Sequence, residues 1–161
     1  GVCNAMETLL ADSAIAKETL PLLKTAFDEA HTELKGCSNT QQIIEVSHAT
    51  DEDYDTEYLA NILNIKVVDG VEGAIEHIVR FTSGHSEAII TENISTAESF
   101  LNAIDAAVVY VNASTRFTDG GAFGFGAEVG ISTNKLHARG PMGIEGLTTY
   151  KFKIYGSGQI R

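Results

Sequence analysis

Hydrophobic and polar positions along this chain recur with helical spacing in some segments and with strand-like spacing in others. From Asn4 to about residue 12 the pattern is helical, and Asn4 and Glu7 have the N-x-x-E spacing of a capping box. Pro21 suits a first helical turn, and it precedes a second set of helically spaced apolar residues, namely Leu22, Leu23, Ala26, Phe27 and Ala30. A short extended piece is expected at 33–36, and an acidic, solvated loop at 51–55.

The centre of the chain has the clearest pattern. Ile62–Val68 is rich in β-branched residues, which is typical of a strand. An amphipathic helix is predicted next, because apolar residues recur at Val71, Ala74, Ile75, Ile78 and Val79. Glu87–Thr91 predicts another strand, and Ser95 with Glu98 forms a capping box that opens the following helix. Ala106–Val111 is apolar throughout, as expected of a strand covered on both faces.

The β-α-β-α-β order with short connections indicates parallel strands joined by right-handed crossovers, so the fold class is α/β. A length of 161 residues suits one domain with its own core. After Asn112 regular structure gives way to a long, glycine-punctuated segment that reaches Pro141, and a loop of that length is usually functional. Leu147–Ile154 alternates as a strand but stands apart from the βαβ body, so we expect it to pair outside this domain.

Composition then excludes several kinds of partner. The chain has 11 basic and 22 acidic residues, and a formal net charge of −11 argues against nucleic acid and anionic membranes. No segment reaches the roughly 20 apolar residues that span a bilayer, and the first residues lack the charged-then-apolar pattern expected of a signal peptide. Cys3 and Cys37 are too few for a disulfide scaffold and lack zinc spacing, which indicates a reduced, cytoplasmic protein without a metal. The chain begins with Gly1 rather than Met, so we interpret its start as an internal position.

Several catalytic motifs are absent. The sequence contains no GxxxxGK[ST] phosphate loop, no HExxH and no GxSxG nucleophile elbow. Gly124-Phe125-Gly126 with Gly130 approaches a dinucleotide fingerprint, but its last spacing is wrong and no strand leads into it, so we interpret these residues as turn glycines. The histidines show no ligand spacing, and His77 suits a structural or surface role beside the apolar face of its helix.

Cys3 has the sequence context of a nucleophile. It stands at the first turn of a predicted helix, where unpaired backbone N–H groups and the positive end of the dipole lower a thiol pKa. The same N–H groups would hold an oxyanion if the sulfur attacked a carbonyl. The alternative is a small buried hydrophobe, which is the interpretation we give to Cys37. We therefore expect the Cys3 thiol to react before that of Cys37.

Five long runs of sequence together resemble one family. They match, in order, the γ-glutamyl phosphate reductases, the proline-pathway members of the aldehyde dehydrogenase superfamily; the runs are Cys3–Leu10, Ser83–Ile89, Val111–Gly121, Phe123–Thr133 and Lys135–Gly143. The resemblance covers nearly the whole chain. It implies a three-layer α/β/α fold with an open, mainly parallel sheet, in which residues 1–146 form the catalytic domain. It also implies that residues 147–161 form an oligomerisation strand and tail, and that an NADP-binding domain lies upstream of this chain.

The resemblance implies a reductase of acyl phosphates. Cys3 would attack the γ-carbonyl of L-glutamyl 5-phosphate, and NADPH would reduce the resulting thioester to glutamate 5-semialdehyde. Glu57 resembles the superfamily glutamate that holds the nicotinamide ribose, although Ala60-Asn61 replaces a frequent Gly-Pro and the residue also fits an ordinary acidic loop. Arg116 and Arg139 are the candidates for binding the carboxylate and phosphate of the substrate, and a surface salt bridge is the alternative for each.

The expected partners are a small-molecule substrate, NADPH and further copies of the same protein through the C-terminal strand, with no nucleic acid, membrane or metal. One alternative is the reductase module of a bifunctional pyrroline-5-carboxylate synthase, in which a glutamate kinase precedes it. The other is a non-catalytic oligomerisation or binding module in which Cys3 is inert.

Overall fold

The computed structural model describes Gly1–Arg161 and alternates strands with helices over most of the chain. The strands are β1 Thr8–Asp12, β2 Glu33–Gly36, β3 Ser47–His48, β4 Ile62–Val68, β5 Ser86–Ile89, β6 Val108–Val111, β7 Gly130–Ser132 and β8 Gly140–Met142. The helices are α1 Ala16–Glu29, α2 Ser38–Gln41, α3 Asp51–Tyr54, α4 Gly70–Phe81, α5 Ile94–Ala103 and α6 Ile144–Leu147, with a 3₁₀ turn at Thr115–Phe117. None of the helices combines the length and apolar content needed to cross a bilayer.

A four-stranded parallel sheet forms the centre of the molecule, in the order β1-β4-β2-β3. Thr8 is opposite Asn64 in the β1–β4 ladder, and Ile62 is opposite Glu33 in the β2–β4 ladder. β4, which the β-branched sequence predicted as a strand, is therefore paired on both edges. The larger of two clusters of buried apolar residues lies where this sheet packs against α1. It consists of Ala11, Ala16, Leu20, Leu34, Ile44, Leu63 and Ile65.

A second group of elements is built on β5 and β6, which pair in parallel with Ser86 opposite Val108. Helices α4 and α5 cover it around a smaller core of Phe100, Ile104 and Ala106. Asn112 ends β6 with a φ of 54°, a left-handed conformation that Asn tolerates. Its side chain accepts from the N–H of Thr91 at 2.9 Å and donates to the Thr91 carbonyl at 2.8 Å. These bonds hold the carboxyl ends of β5 and β6 together just before the 3₁₀ turn.

The predicted α/β class and the mainly parallel strands are confirmed. The predicted β4-α4-β5-α5-β6 order is also observed, and the β5–β6 pair is parallel as expected. β4, however, pairs with β1 and β2 and shares no ladder with β5. The α4 connection therefore links two separately hydrogen-bonded groups of strands, because β1 occupies the edge of β4 that β5 would need.

The predicted helix near the start of the chain is wrong, since Thr8–Asp12 is strand β1. The N-x-x-E spacing is a local signal, whereas β1 gains a ladder along β4 and buries Ala11 against the core. The predicted start of the next helix at Pro21 is also wrong. α1 begins at Ala16 and contains Pro21, because Ala16 and Leu20 are almost fully buried and extend the helix toward the sheet.

Two further local predictions are corrected. The expected acidic loop forms the single-turn helix α3, in which Thr50 caps the backbone N–H of Asp53 and the Asp53 carboxylate accepts from the N–H of Thr50 at 2.7 Å. Tyr54 on this helix is buried. α5 is capped by Asn93, whose side chain accepts from the N–H of Thr96 at 3.0 Å, rather than by Ser95.

The chain beyond β6 has little regular structure, as expected. β7 and β8 form a short antiparallel hairpin with Ile131 opposite Pro141. The predicted strand at Leu147–Ile154 is not formed within the chain, because Leu147 ends α6 and the residues after it are exposed and unpaired. A strand exists only with a ladder partner, so its pairing with another chain stays a prediction.

Candidate active site

Cys3 lies at an exposed turn that is closed by a hydrogen bond of 2.8 Å from the N–H of Ala5 to the carbonyl of Val2. Its thiol has no hydrogen-bond partner, and its backbone N–H is not used in any hydrogen bond within the chain. The predicted activation by a helix dipole is wrong, because the segment leads into a strand and not a helix. The free N–H is nevertheless available to an oxyanion formed by attack of the neighbouring sulfur.

Asn4 fixes this turn to the distant 3₁₀ segment. Its side-chain NH₂ donates to the carbonyls of Thr118 at 2.9 Å and Arg116 at 3.3 Å, and its side-chain oxygen accepts from the Arg116 guanidinium. The hydroxyl of Thr115 donates to the Asn4 carbonyl at 2.8 Å. Asn4 is 8% exposed, so these bonds satisfy polar groups that have left water. The residue after the candidate nucleophile is therefore held rigidly although its own segment is a turn.

Arg116 is thus brought to the Cys3 turn, and its expected role in binding a substrate anion stays a prediction. It forms no ion pair, and the oxygen of Asn4 that it contacts carries no charge. Its positive charge is therefore not neutralised within the chain. A guanidinium of this kind pairs readily with a carboxylate or phosphate.

Arg139 occupies a different environment. Its guanidinium donates to the Asp105 carboxylate at 2.7 Å and to the Asp105 carbonyl at 2.9 Å. Lys135 binds the same carboxylate, and Lys135 together with Arg139 holds the pKa of Asp105 below its ordinary value. No hydrogen bond or ion pair joins Arg139 to Cys3 or Arg116. The surface salt bridge that the sequence left open as an alternative is therefore present at Arg139.

Glu57 shares a small cavity of about 20 Å³ with the residues that flank Cys3. Val2, Ala5 and Glu7 line one part of this cavity, and Gly1 and Ala60, whose nitrogen and carbonyl oxygen lie 3.2 Å apart, line another. Glu57 is exposed and forms no hydrogen bond or ion pair within the chain. Its carboxylate is therefore free to accept from a ligand.

Glu7 adds a second carboxyl group to the lining of this cavity. Burial raises the pKa of its carboxyl, and the nearby Glu57 carboxylate raises it further. The structure thus brings Cys3, Glu57 and Arg116 to one region of the molecule: Glu57 through the cavity and Arg116 through Asn4.

The two cysteines differ in a way that the sequence did not predict. Burial alone would raise the pKa of the Cys37 thiol, but hydrogen bonds from Thr40 and from the N–H groups of Val67 and Asn39 outweigh it, and the pKa is lowered. The Cys37 sulfur lies 3.3 Å from the Thr40 hydroxyl and is only partly accessible. These hydrogen bonds favour the thiolate of Cys37, whereas access favours Cys3, so the expected order of reactivity stays a prediction that depends on access.

A hydroxyl network beneath the Cys3 turn also escaped the sequence patterns. Thr118 is fully buried, and its hydroxyl lies 2.7 Å from that of Ser86 and 2.8 Å from that of Tyr110. His85 Nδ1 lies 2.8 Å from the Ser86 hydroxyl. The one available signal was that His85, Ser86 and Thr118 fall inside the motif runs. The bond between Ser86 and Thr118 joins positions more than thirty residues apart, so it leaves no local periodicity.

The residues of this chain fit one part of a nicotinamide cofactor. The free Glu57 carboxylate suits ribose hydroxyls, which are hydrogen-bond donors. The glycine segment does not offer a phosphate cradle, because the Gly120 N–H donates to the Glu128 carboxylate at 2.7 Å and the Phe125 N–H closes the turn onto the Gly120 carbonyl at 2.8 Å. The interpretation of these residues as turn glycines agrees with this arrangement. No group of three or more His, Cys, Asp or Glu residues is arranged to hold a metal ion.

Known proteins resemble the chain along its whole length. It is 88% identical over 161 residues to the gamma-glutamyl phosphate reductase of Sulfurovum sp. strain NBC37-1, and 80% identical to that of Sulfurimonas denitrificans; each match covers 100% of this chain and 39% of the relative. The crystal structure of the Thermotoga maritima gamma-glutamyl phosphate reductase matches with a TM-score of 0.93 and 55% identity, over 100% of this chain and 39% of that one.

The chain therefore spans 39% of the length of the curated relatives that it matches. The profile of the aldehyde dehydrogenase family matches residues 12–152. Since that profile covers most of the sequence, the chain belongs to the aldehyde dehydrogenase family.

Proposed function

We propose that this chain carries the nucleophile of a γ-glutamyl phosphate reductase, which reduces L-glutamyl 5-phosphate to L-glutamate 5-semialdehyde and phosphate in proline biosynthesis. The observation that carries the proposal is the exposed Cys3 turn, fixed through Asn4 beside the unneutralised charge of Arg116. The names of the relatives agree with it. Since the chain spans 39% of their length, we propose that a nucleotide-binding domain outside it completes the cofactor site.

The first step assigned to Cys3 is attack by its thiolate on the γ-carbonyl carbon of the acyl phosphate. The C–S bond forms, and the negative charge that develops on the carbonyl oxygen is stabilised by the free N–H of Cys3. When the carbonyl is restored, the C–O bond to phosphate breaks and a thioester remains on Cys3. Phosphate leaves readily in this step. The thioester is then reduced rather than hydrolysed, so no carboxylate base is needed to activate water.

The proposed cofactor, NADPH, supplies a hydride to the thioester carbon when it is bound. Glu57 is assigned to the nicotinamide ribose, because this residue has a free carboxylate and lines the same cavity as Val2 and Ala5 of the Cys3 turn. After the reduction, the C–S bond of the thiohemiacetal breaks, its hydroxyl loses a proton, and the aldehyde leaves a regenerated Cys3 thiolate.

Arg116 is assigned to an anionic group of the substrate. Its guanidinium has several N–H donors and uses only part of them on Asn4. Arg139 is assigned to the second anionic group, and binding there requires that it release Asp105. We therefore rank Arg139 behind Arg116.

We further propose a cytoplasmic enzyme that assembles into a homo-oligomer through its C-terminal strand. The support is that apolar residues alternate in that segment and are exposed: Tyr150 is 80%, Phe152 82% and Ile154 89% exposed. The reductase module of a bifunctional pyrroline-5-carboxylate synthase carries out the same reaction and is distinguished by a glutamate kinase preceding it. The isolated 161-residue chain is expected to be inactive, because Glu57 alone cannot position a dinucleotide.

The test compares Cys3→Ala with the matched variant Cys37→Ala in a complete reductase that carries this chain. Activity is followed in the reverse direction with semialdehyde, phosphate and NADP⁺. We expect Cys3→Ala to abolish turnover and Cys37→Ala to retain it. The proposal fails if the two variants lose activity equally, or if Cys3→Ala remains active.

A further inference from the structure

His85 lies immediately before β5. One ring nitrogen, Nδ1, is 2.8 Å from the hydroxyl of Ser86. The other, Nε2, is buried and has no hydrogen-bond partner. The proposed chemistry does not use this imidazole, although a buried polar atom without a partner is uncommon in native proteins.

Three hydroxyl groups extend from Nδ1 as a line of hydrogen bonds, in which each group is bonded to the next. The Ser86 oxygen is 2.7 Å from the Thr118 oxygen, which is 2.8 Å from the Tyr110 oxygen. Ser86 and Thr118 each have one hydroxyl proton and two partners in this line. If each donates to one partner, it accepts from the other, so all the bonds run in the same direction.

The chemistry of the two ends indicates that direction. A phenol is a stronger donor than an aliphatic hydroxyl, and a bare imidazole nitrogen is a stronger acceptor. The Tyr110 hydroxyl has no other partner in the chain. We therefore infer that Tyr110 donates to Thr118, Thr118 to Ser86 and Ser86 to Nδ1, so that the proton of the neutral ring is on Nε2.

Thr118 connects this line to the Cys3 turn. Its backbone carbonyl accepts from the Asn4 side chain at 2.9 Å, and the Asn4 oxygen in turn accepts from Arg116. Thr118 is fully buried, so it has no water to replace a lost partner. A change in its hydroxyl bonds is thus transmitted to the residue that follows Cys3.

The groups that face His85 leave it neutral at neutral pH. Burial lowers its pKa, and this effect outweighs the Glu128 and Glu57 carboxylates, which raise the pKa. Glu128 precedes β7, Glu57 precedes β4, and Tyr110 on β6 reaches the ring only through Thr118 and Ser86. Protonation would place a proton on Nδ1, and every hydroxyl in the line would then have to reverse.

We propose that His85 is a positioning residue of the reduction: as an uncharged acceptor for Ser86, it holds Thr118 and thereby the Asn4 contacts that place the Cys3 turn and Arg116. The inference rests on the proposed function. It goes beyond that function because it assigns the pH dependence of the activity to His85, a side chain that is not one of the reacting groups.

The test replaces His85 by two amides in a complete reductase that carries this chain. The Asn amide oxygen lies near the position of Nδ1 and accepts from Ser86 without ionising, whereas the longer Gln amide lies nearer Nε2. We expect His85→Asn to retain most of kcat at pH 8 and to lack the acid-side decline of the unaltered enzyme. We expect His85→Gln to lower kcat by about 10- to 100-fold, the scale of a lost positioning contact.

Thr118 provides the second pair of variants, Thr118→Val and Thr118→Ser. Thr118→Val removes the hydroxyl at nearly constant volume, and we expect the same loss of kcat, with no further loss when it is combined with His85→Gln. Thr118→Ser restores the hydroxyl and should restore kcat. The rate of Cys3 alkylation without substrate, which should fall with kcat in the impaired variants, reports on the turn independently of turnover.

An unchanged acid-side decline in His85→Asn, or full kcat in both His85→Gln and Thr118→Val, would overturn the inference. The outcome is kept separate from the proposed function by Cys3→Ala in the same assay. If Cys3→Ala is inactive while His85→Asn behaves as the unaltered enzyme, the proposed function stands and only the role of His85 is removed. If Cys3→Ala is active, the proposed function itself fails.

Discussion

The guanidinium of Arg116 donates to the side-chain oxygen of Asn4, the residue that directly follows Cys3, across 112 positions of sequence. Asn4 returns hydrogen bonds to the carbonyls of Arg116 and Thr118, so the two segments hold each other from both sides. This contact fixes an exposed turn and brings a guanidinium without an ion-pair partner to the residue after Cys3, the more exposed of the two thiols. The proposed nucleophile and the proposed anion-binding group are thereby connected through one asparagine.

Replacing Asn4 by Ala should therefore reduce both stability and activity. The carbonyl of Thr118 would stay buried without its donor, which costs about 1–3 kcal/mol. Chemical denaturation measures the first effect, and kcat in a complete reductase measures the second. Asn39→Ala is the matched control, since Asn39 is exposed and its side chain forms no hydrogen bond. Equal denaturation midpoints for both variants would show that the Asn4 contacts do not stabilise the fold.

Arg116→Ala should raise the KM for glutamate 5-semialdehyde and for phosphate more than the KM for NADP⁺. The reason is that a guanidinium pairs with anionic oxygens through bonds that Ala cannot replace. Arg139→Ala tests the second assignment in the same assay. Arg80→Ala serves as the control, because Arg80 forms an exposed ion pair with Asp51. If stability falls while all three KM values stay constant, Arg116 is a structural residue.

Glu57→Gln should weaken the binding of NADPH by about 10-fold or more, because a carboxylate bound to hydroxyls makes charge-assisted hydrogen bonds of roughly 1.5–3 kcal/mol each. The fold should be unaffected, since Glu57 has no partner within the chain. Fluorescence titration of a complete reductase with NADPH measures the dissociation constant, and Glu92→Gln, at another exposed position, is the control. An unchanged dissociation constant would end the assignment of Glu57.

The segment that carries Glu57 should lose its anchor at low pH. Asp53 accepts from Lys35 at 2.7 Å and from the Tyr58 hydroxyl at 2.6 Å, and these bonds, with those from Thr50, hold the pKa of its carboxyl far below the ordinary value. A depressed pKa means that the stabilisation is fully present above about pH 3.9, the ordinary carboxyl pKa, and is lost as the pH falls toward the folded-state value.

Asp53→Asn should accordingly lower the urea midpoint at pH 7. The gap between the midpoints of the variant and the unaltered protein should narrow as the pH falls below about 3.9. Asp28→Asn is the control, since Asp28 forms an exposed helical ion pair with Lys24 that contributes little to stability. A gap that stays constant from pH 7 to pH 3 would contradict the role assigned to the Asp53 carboxylate.

The parts of the fold with a strong local signal were predictable from the sequence. β4 is a run of β-branched residues and α4 has one apolar face, so both are where the pattern placed them. The start of the chain was not predictable in this way. Asn4 has the sequence context of a helix cap, but its partners are Arg116 and Thr118, and hydrogen bonds across more than a hundred residues leave no trace in local spacing.

The site shows the same division. The motif runs contain the candidates Cys3, Arg116 and Arg139, and a separate partial match suggested Glu57, because a resemblance records side chains whatever their distance in space. They did not indicate that Arg139 is bound to Asp105, or that hydrogen bonds lower the pKa of Cys37. Both facts depend on which charged and hydrogen-bonding groups the fold brings near a side chain. Tertiary contacts determine those neighbours, and the periodicity of the sequence does not record them.

The thioester on Cys3 is the intermediate that defines the proposed reaction, and withholding phosphate should trap it. In the reverse direction, semialdehyde and NADP⁺ without phosphate leave the glutamyl group on the sulfur, since phosphate is needed to remove it. Rapid quenching of a complete reductase that carries this chain, followed by peptide mass spectrometry, should find one glutamyl adduct on the Cys3 peptide, none on the Cys37 peptide, and one NADPH formed per adduct. An active enzyme that carries the adduct on Cys37, or turns over with no adduct on Cys3, would contradict the account.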